Sequence, residues 1–320
     1  MKTLLLTERD VAALLTMEDC IAALEESFRR QDAGMAINHP RRRLYVPEGT
    51  FHIMEAADLV ARRMAIKAYA SFRPATRFLV LLYDTASGDL LAMIEADRLG
   101  QIRTGAATGV ATKYMARSDA KTLALFGAGW QAETQALAVA AARPLERIRV
   151  YSRTPERRAD FVRRMKTAIQ AEIAPADSPE QALEGADIVV TATTSRTPVF
   201  DGRLIAPGTH INAVGSNALS RAEVDITTVS RASRIVVDSL EQSKLEAGDL
   251  LAPIEARKLR WEQAHELREV VAGRRPGREK PEEITLFKSN GMALEDVAAA
   301  SLVYEQARRQ GMGREISLWE

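Results

Sequence analysis

The sequence predicts an α/β protein built on a doubly wound parallel sheet and joined to a second, α+β domain. Three observations predict it. After Asp119 apolar strand-like runs alternate with helical ones, and a Gly127-Ala128-Gly129 turn sits between the first such strand and the first such helix. From about Arg41 to Glu95 the rhythm differs: short runs rich in Val, Ile, Leu, Tyr and Phe are broken by Pro47, Gly49 and Pro74, which reads as antiparallel sheet. At 320 residues the chain fits two domains, placed at 1–119 (completed by 291–320) and at 120–290.

Taken in order, Thr7 with Asp10 and Thr16 with Asp19 each open a helix as Ser/Thr-x-x-acid boxes. Ile21, Leu24 and Phe28 line one face of the second helix, and Gly34 ends it. In the sheet region RFLVLLYDTASGDLLAMIE turns as a hairpin at Ser87-Gly88. Asp97 is expected to cap the run LGQIRTGAATGVATKYMA, whose Gly105, Ala106, Ala107, Gly109 and Ala111 leave a face of little bulk. The strands KTLALFGAG, RIRVYSR, ADIVVTATT, GTHINAVGS, SRIVVDS and EEITLFKSNG then alternate with helical or irregular segments. Glu223 and Asp225 in SRAEVD read as helix-start acids. The last helix, MALEDVAAASLVYEQARRQ, follows the final strand and can return to the N-terminal domain.

Composition narrows the function classes. With 44 Lys plus Arg against 43 Asp plus Glu, the net charge of +1 supplies no basic field for nucleic acid or anionic lipid. A chain 46% hydrophobic and 27% charged can bury an ordinary globular core. Cys20 is the sole cysteine, so no internal disulfide and no multi-cysteine metal site is expected, and it reads as a packed thiol in a reducing compartment. The N-terminal apolar run is too short for a signal-peptide core and no stretch matches a membrane span, so the expected location is the cytoplasm.

The glycine turn carries chemistry. Gly127 permits the tight turn, Gly129 lets a pyrophosphate approach backbone N–H groups at a helix N-terminus, Gln131 follows, and Ala132 stands where a third glycine is usual. The next strand ends Tyr151-Ser152-Arg153-Thr154, without the acid that would bind a ribose 2′-hydroxyl. Arg153 with the hydroxyls of Ser152 and Thr154 suits a 2′-phosphate, which points to NADP(H) over NAD(H); the plain alternative is a solvated loop arginine, with NAD(H) still possible.

Three cations stand out upstream: Arg43 in PRRRLY, Lys67 in MAIKAYAS and Arg103 in LGQIRTGAATG. Taken alone each reads as an ordinary surface cation, and Lys67 would snorkel to water or project into a cleft. Together with IRTGAATGVATKYMAR, LFGAGWQAETQ, THINAVGSN and LFKSNGMALEDVAAA, however, they give a chain that resembles the ornithine cyclodeaminase and mu-crystallin family across nearly its whole length.

That resemblance implies a Rossmann-type dinucleotide domain, an N-terminal substrate-binding and dimerisation domain completed by the C-terminal helix, and a homodimer joined through the N-terminal sheets. It implies that Arg43 and Arg103 clamp a substrate α-carboxylate while Lys67 contacts the carboxylate or an imine and exchanges protons there. Thr104 and the Ala213-Val214-Gly215 turn would touch the cofactor, to which Thr193 and Ser289 are also assigned. His52, Met54 and Asn217 would shape the substrate pocket; on their own, His52 reads as a packed or exposed bystander and Met54 as core filler.

Asn217 is a departure. Cyclodeaminase-like members have an aspartate there, near the substrate amine, and an amide can neither accept a proton as a base nor pair fully with a second ammonium. With Ser152-Arg153 this points to an NAD(P)H-dependent oxidoreductase that reduces a C=N bond beside a carboxylate, a ketimine or cyclic imino acid reductase or an amino acid dehydrogenase, with Lys67 and Asn217 as its catalytic candidates. The rivals are ornithine cyclodeamination to proline and ammonia, and a non-catalytic NADPH-binding protein.

Overall fold

The computed structural model describes residues 2–72 and 76–318, so the break expected at Pro74 lies outside the described residues. The chain divides into two compact units, Met1–Thr104 with Met292–Glu320, and Gly105–Gly291.

The first unit opens with β1 (Lys2–Leu6), α1 (Glu8–Leu14) and α2 (Met17–Asp32). The Thr7 hydroxyl accepts from Asp10 N while the Asp10 carboxylate accepts from Thr7 N, and Thr16 accepts from Asp19 N, so both expected N-termini form. Cys20, Ile21, Leu24 and Phe28 turn their side chains into the core. There follow β2 (Ala36–Asn38), β3 (Arg42–Val46), β4 (Gly49–Asp58), β5 (Arg63–Phe72), β6 (Thr76–Asp84) and β7 (Leu90–Glu95). The β6–β7 hairpin turns at Ser87-Gly88 as expected, with the Asp84 carboxylate accepting from Ala86 N and Ser87 N. Strand alternation buries His52, Met54, Lys67 and Tyr69 on one face and leaves Phe51 and Ile66 on the other.

Helix α3 (Asp97–Met115) carries the chain out of the first unit. Its expected cap is corrected: the Asp97 carboxylate accepts from Phe78 N at 3.0 Å, and it is Glu8 that takes the open N–H groups of Asp97 and Arg98, at 2.6 and 2.8 Å. A carboxylate delivered by α1 therefore serves the positive helix end.

The second unit contains the strands β8 (Thr122–Phe126), β9 (Arg147–Tyr151), β10 (Glu172–Pro175), β11 (Ile188–Thr191), β12 (His210–Ala213), β13 (Arg234–Val237), β14 (Ala264–Glu266) and β15 (Thr285–Lys288). Between them run α4 (Trp130–Ala142), α5 (Pro155–Met165), α6 (Pro179–Leu183), α7 (Ile226–Arg231), α8 (Leu240–Glu246), α9 (Gly248–Glu255) and α10 (Leu267–Val271). Every pairing is parallel, in the order β10-β9-β8-β11-β12-β15-β13-β14. This is the doubly wound sheet that the alternation predicts. Its central strands are near-continuous apolar runs, Leu123 to Phe126 and Ile188 to Val190 being wholly buried, as a sheet covered on both faces requires. The order of strands reverses between β8 and β11, which opens a crevice at their C-terminal ends.

The chain then re-enters the first unit as α11 (Ala293–Gln310) and β16 (Arg314–Ser317). Strand β16 pairs with β1, which pairs in parallel with β7, giving the order β16-β1-β7-β6-β5-β4-β2 with β3 on β4. Helix α11 covers the buried face of β4 and β5. Among the described residues no helix is long and apolar enough to cross a membrane.

Candidate active site

In the first unit, the row Arg43, His52, Tyr69, Phe78 runs across β3 to β6, and Met54 and Lys67 pair in the row beside it. Lys67 does not snorkel: it is 2% exposed. Its Nζ lies 2.9 Å from Asp296 Oδ1 on α11 and 5.0 Å from the centre of the Phe78 ring. Arg103 on α3 reaches the same Asp296 oxygen with Nε at 2.9 Å and Glu295 Oε2 with a terminal nitrogen at 2.6 Å. Two desolvated cations thus share one buried carboxylate.

Burial, and then the Arg103 charge, pull the Lys67 ammonium down to about 8, against the pull of Asp296. For Arg103 burial works the same way, but Asp296 and Glu295 together outweigh it and hold the guanidinium firmly charged. His52 lies flat on Tyr69 with ring centres 4.2 Å apart. Burial, then Arg43 and Arg41, lower it to about 4, so it is neutral at pH 7 and reports the positive potential at this end of the sheet. Met54 is packed at 1% exposure, and the Thr104 hydroxyl donates to Gly100 O. Lys67 and Arg103 are thus balanced by Asp296 and Glu295 in one buried cluster, beside the stacked His52 and Tyr69 rings.

In the second unit, the C-terminal ends of β8, β9 and β11 open onto a cleft of about 340 Å³ lined by Gly127, Gly129, Ser152, Arg153, Thr154 and Thr193, and also by Arg157. Gly127 has φ +118°, and a Cβ there would run into the Ala192 carbonyl oxygen, so glycine alone fits. Gly129 starts α4 with no side chain capping the helix end and with open space beside its Cα. Gln131 Oε1 is buried without a hydrogen-bond partner, and Ala132 is packed beneath the turn. The glycine cradle and the open helix N–H groups fit a dinucleotide pyrophosphate.

A profile of the ornithine cyclodeaminase/mu-crystallin family matches residues 1–311. The chain belongs to that family. It is 40% identical to the Δ1-pyrroline-2-carboxylate reductase of Bacillus cereus over 74% of this chain and 73% of that one. The solved Δ1-pyrroline-2-carboxylate reductase of Thermococcus litoralis, in complex with NADH and L-proline, superposes with a TM-score of 0.94 at 36% identity, covering 98% of this chain and 100% of that one. An archaeal alanine dehydrogenase dimer with bound NAD superposes with a TM-score of 0.92 at 33% identity over 100% of both chains.

Within this ornithine cyclodeaminase/mu-crystallin chain the remaining expected residues lie near the same sheet edge of the second unit. Val214 and Gly215 form the turn after β12, Asn217 is exposed beyond it, and the buried Ser289 hydroxyl donates to Asp238 at 3.2 Å. Glu223 is corrected. It is no helix-start acid but wholly buried, accepting from Thr193 N, Thr193 Oγ1, Thr191 Oγ1 and Gly215 N at 2.6–2.9 Å. Asp225, by contrast, caps α7 as expected. Sequence reasoning also missed Asp296 and Glu295, which sit in the quoted LEDVAAA run, and Arg157, in the first turn of α5. For Arg157 the available signal was its place in the first turn of the helix that Thr154-Pro155-Glu156 opens, directly after the strand end.

Proposed function

We propose that this family member is an NAD(P)H-dependent oxidoreductase that reduces a C=N bond beside a carboxylate, yielding an amino or cyclic imino acid. The observation that carries the reading is the buried Lys67, held beside Arg103 by Asp296 at 2.9 Å. Arg103, with Arg43, binds the substrate carboxylate. Lys67 has lost enough of its hold on the proton, at about 8, to give it to an imine nitrogen near neutral pH. A bound nicotinamide supplies the hydride. Asn217 offers an amide hydrogen bond and no base, which favours reduction over release of ammonia from ornithine.

In this reading the dinucleotide lies on the doubly wound unit, with NADP(H) preferred. Arg153 and Arg157 line the cleft beside Ser152 and Thr154, and no acid stands at the end of β9 to repel a 2′-phosphate. Thr104, Val214, Gly215 and Ser289 complete the cofactor contacts, and His52 and Met54 bound the substrate. The outward sheet face of the first unit, with Leu44 63%, Phe51 37% and Ile66 37% exposed, suits a homodimer interface. The lone buried thiol Cys20 suits the cytoplasm.

One paired assay tests the reading. NADPH oxidation is followed with cyclic imines and with 2-oxo acids plus amines, and ammonia release from ornithine without added reductant. NADPH consumption is expected; ammonia and proline without net redox change would establish the lyase instead.

A further inference from the structure

The dinucleotide reading leaves a buried charged cluster in the second unit without a role. Glu223, Asp249 and Lys288 are each at most 1% exposed, and none lines the cleft. Three burials of full charge at one sheet edge are costly and do not serve packing. Their bonds show what they connect. Glu223 Oε1 accepts from Thr193 N at 2.6 Å and Thr193 Oγ1 at 2.7 Å, in the loop after β11. Glu223 Oε2 accepts from Gly215 N at 2.6 Å, in the loop after β12, and from Thr191 Oγ1 at 2.9 Å at the end of β11. Asp249 Oδ1 fixes Glu223 itself through its backbone N–H at 2.5 Å, and Lys288 Nζ joins Asp249 Oδ2 at 2.9 Å to Ser216 O at 2.5 Å.

We propose that Glu223 is a positioning residue for the dinucleotide, setting the spacing between the Thr193 loop and the Gly215 turn. The inference rests on reading this edge as the dinucleotide site. A carboxylate can do this because each oxygen accepts two bonds, so both loops are tied to one rigid group. The loops are drawn so close that a Cβ on Gly215 would collide with the Thr193 backbone and the Glu223 carboxylate. A glutamine of the same shape has one acceptor oxygen and must turn an N–H toward the N–H of one loop. Burial and the nearby Asp249 raise Glu223 above the usual carboxylate range, while Thr193 and Lys288 act to keep it charged.

The test compares the full chain with E223Q and with the milder T191V, which deletes one donor to the same carboxylate. NADPH and NADH dissociation constants are measured by calorimetry, with the melting temperature of the unliganded protein and kcat and KM for the imine. E223Q is expected to weaken dinucleotide binding by about tenfold or more, and T191V by about threefold, as lost charge-assisted bonds do. In both, kcat should fall while KM for the imine changes less than about twofold, since the substrate carboxylate is held elsewhere. Lower melting temperatures with unchanged dissociation constants would make Glu223 a structural residue only. If E223Q does not fold, the dissociation constant of T191V decides alone. Failure of the wild-type chain to bind either dinucleotide overturns the site reading first, and this inference with it.

Discussion

Lys67 Nζ and Asp296 Oδ1 stand 2.9 Å apart although 229 residues separate them in the chain. Asp296 only partly offsets the desolvation of Lys67 and the repulsion of Arg103, so the lysine keeps its proton up to about 8. If that proton goes to the imine, kcat/KM is highest below about 8 and falls as pH rises through it, because the donor form disappears. Lys67→Met should lower kcat/KM by about a hundredfold or more and abolish the alkaline limb. A pH–rate profile of both proteins checks this; the same limb in the variant would move the proton donor elsewhere.

Arg103 is held by two acids, and its replacement should cost more than binding. Arg103→Ala leaves Glu295 and Asp296 buried with much of their counter-charge gone, which destabilises by about 3–5 kcal/mol. Urea unfolding measures it. A loss below about 1 kcal/mol would show that water reaches this cluster freely.

At the cofactor cleft, Arg153→Ala combined with Arg157→Ala should raise the dissociation constant of NADPH by about ten- to a hundredfold and leave that of NADH within about threefold. The difference isolates the 2′-phosphate. Equal loss of both dinucleotides would instead make these arginines general contributors to anion binding.

Gly127→Ala should abolish dinucleotide binding in a chain that still folds in its first unit. The left-handed-side φ of +118° and the Ala192 carbonyl leave the methyl no place without moving the β8–α4 turn. Quenching or energy transfer from the exposed Trp130, at the start of α4, provides the readout.

Acid should weaken the fold through His210. It lies between Thr285 Oγ1 and Asn212 Oδ1, and burial, then Arg278, lower it to about 3 from an ordinary 6.5. The folded chain keeps it neutral while the unfolded chain takes up a proton below 6.5, so its contribution is complete above 6.5 and declines as pH falls toward 3. One such proton gives a slope of about 1.4 kcal/mol per pH unit, and urea midpoints at several pH values measure it. A flat profile between 6.5 and 4.5 would show that His210 is not desolvated as its surroundings require.

Local chemistry made much of this legible in the sequence. The Thr7–Asp10 box, the Gly127 turn and the apolar strands of the parallel sheet each declare themselves within a few residues. What stayed hidden depends on distance along the chain. Glu8 caps a helix 89 residues away, Glu223 holds a loop 30 residues before it, and Asp296 finds its cations across most of the chain. A carboxylate two places before a helix cap, as Glu223 is before Asp225, looks like a helix-start acid until its long-range partners are seen.

Helix α11 belongs to the unit that the chain left at Thr104 and re-entered at Met292. On the ribosome, Lys67 and Arg103 are therefore made long before the acids that neutralise them, and the whole parallel sheet is synthesised in between. Until Glu295 and Asp296 emerge, the two cations have no reason to leave water, and the first unit cannot close its core around them. The Lys67–Arg103–Asp296 cluster is thus a late product of translation, completed only after the second unit has been synthesised.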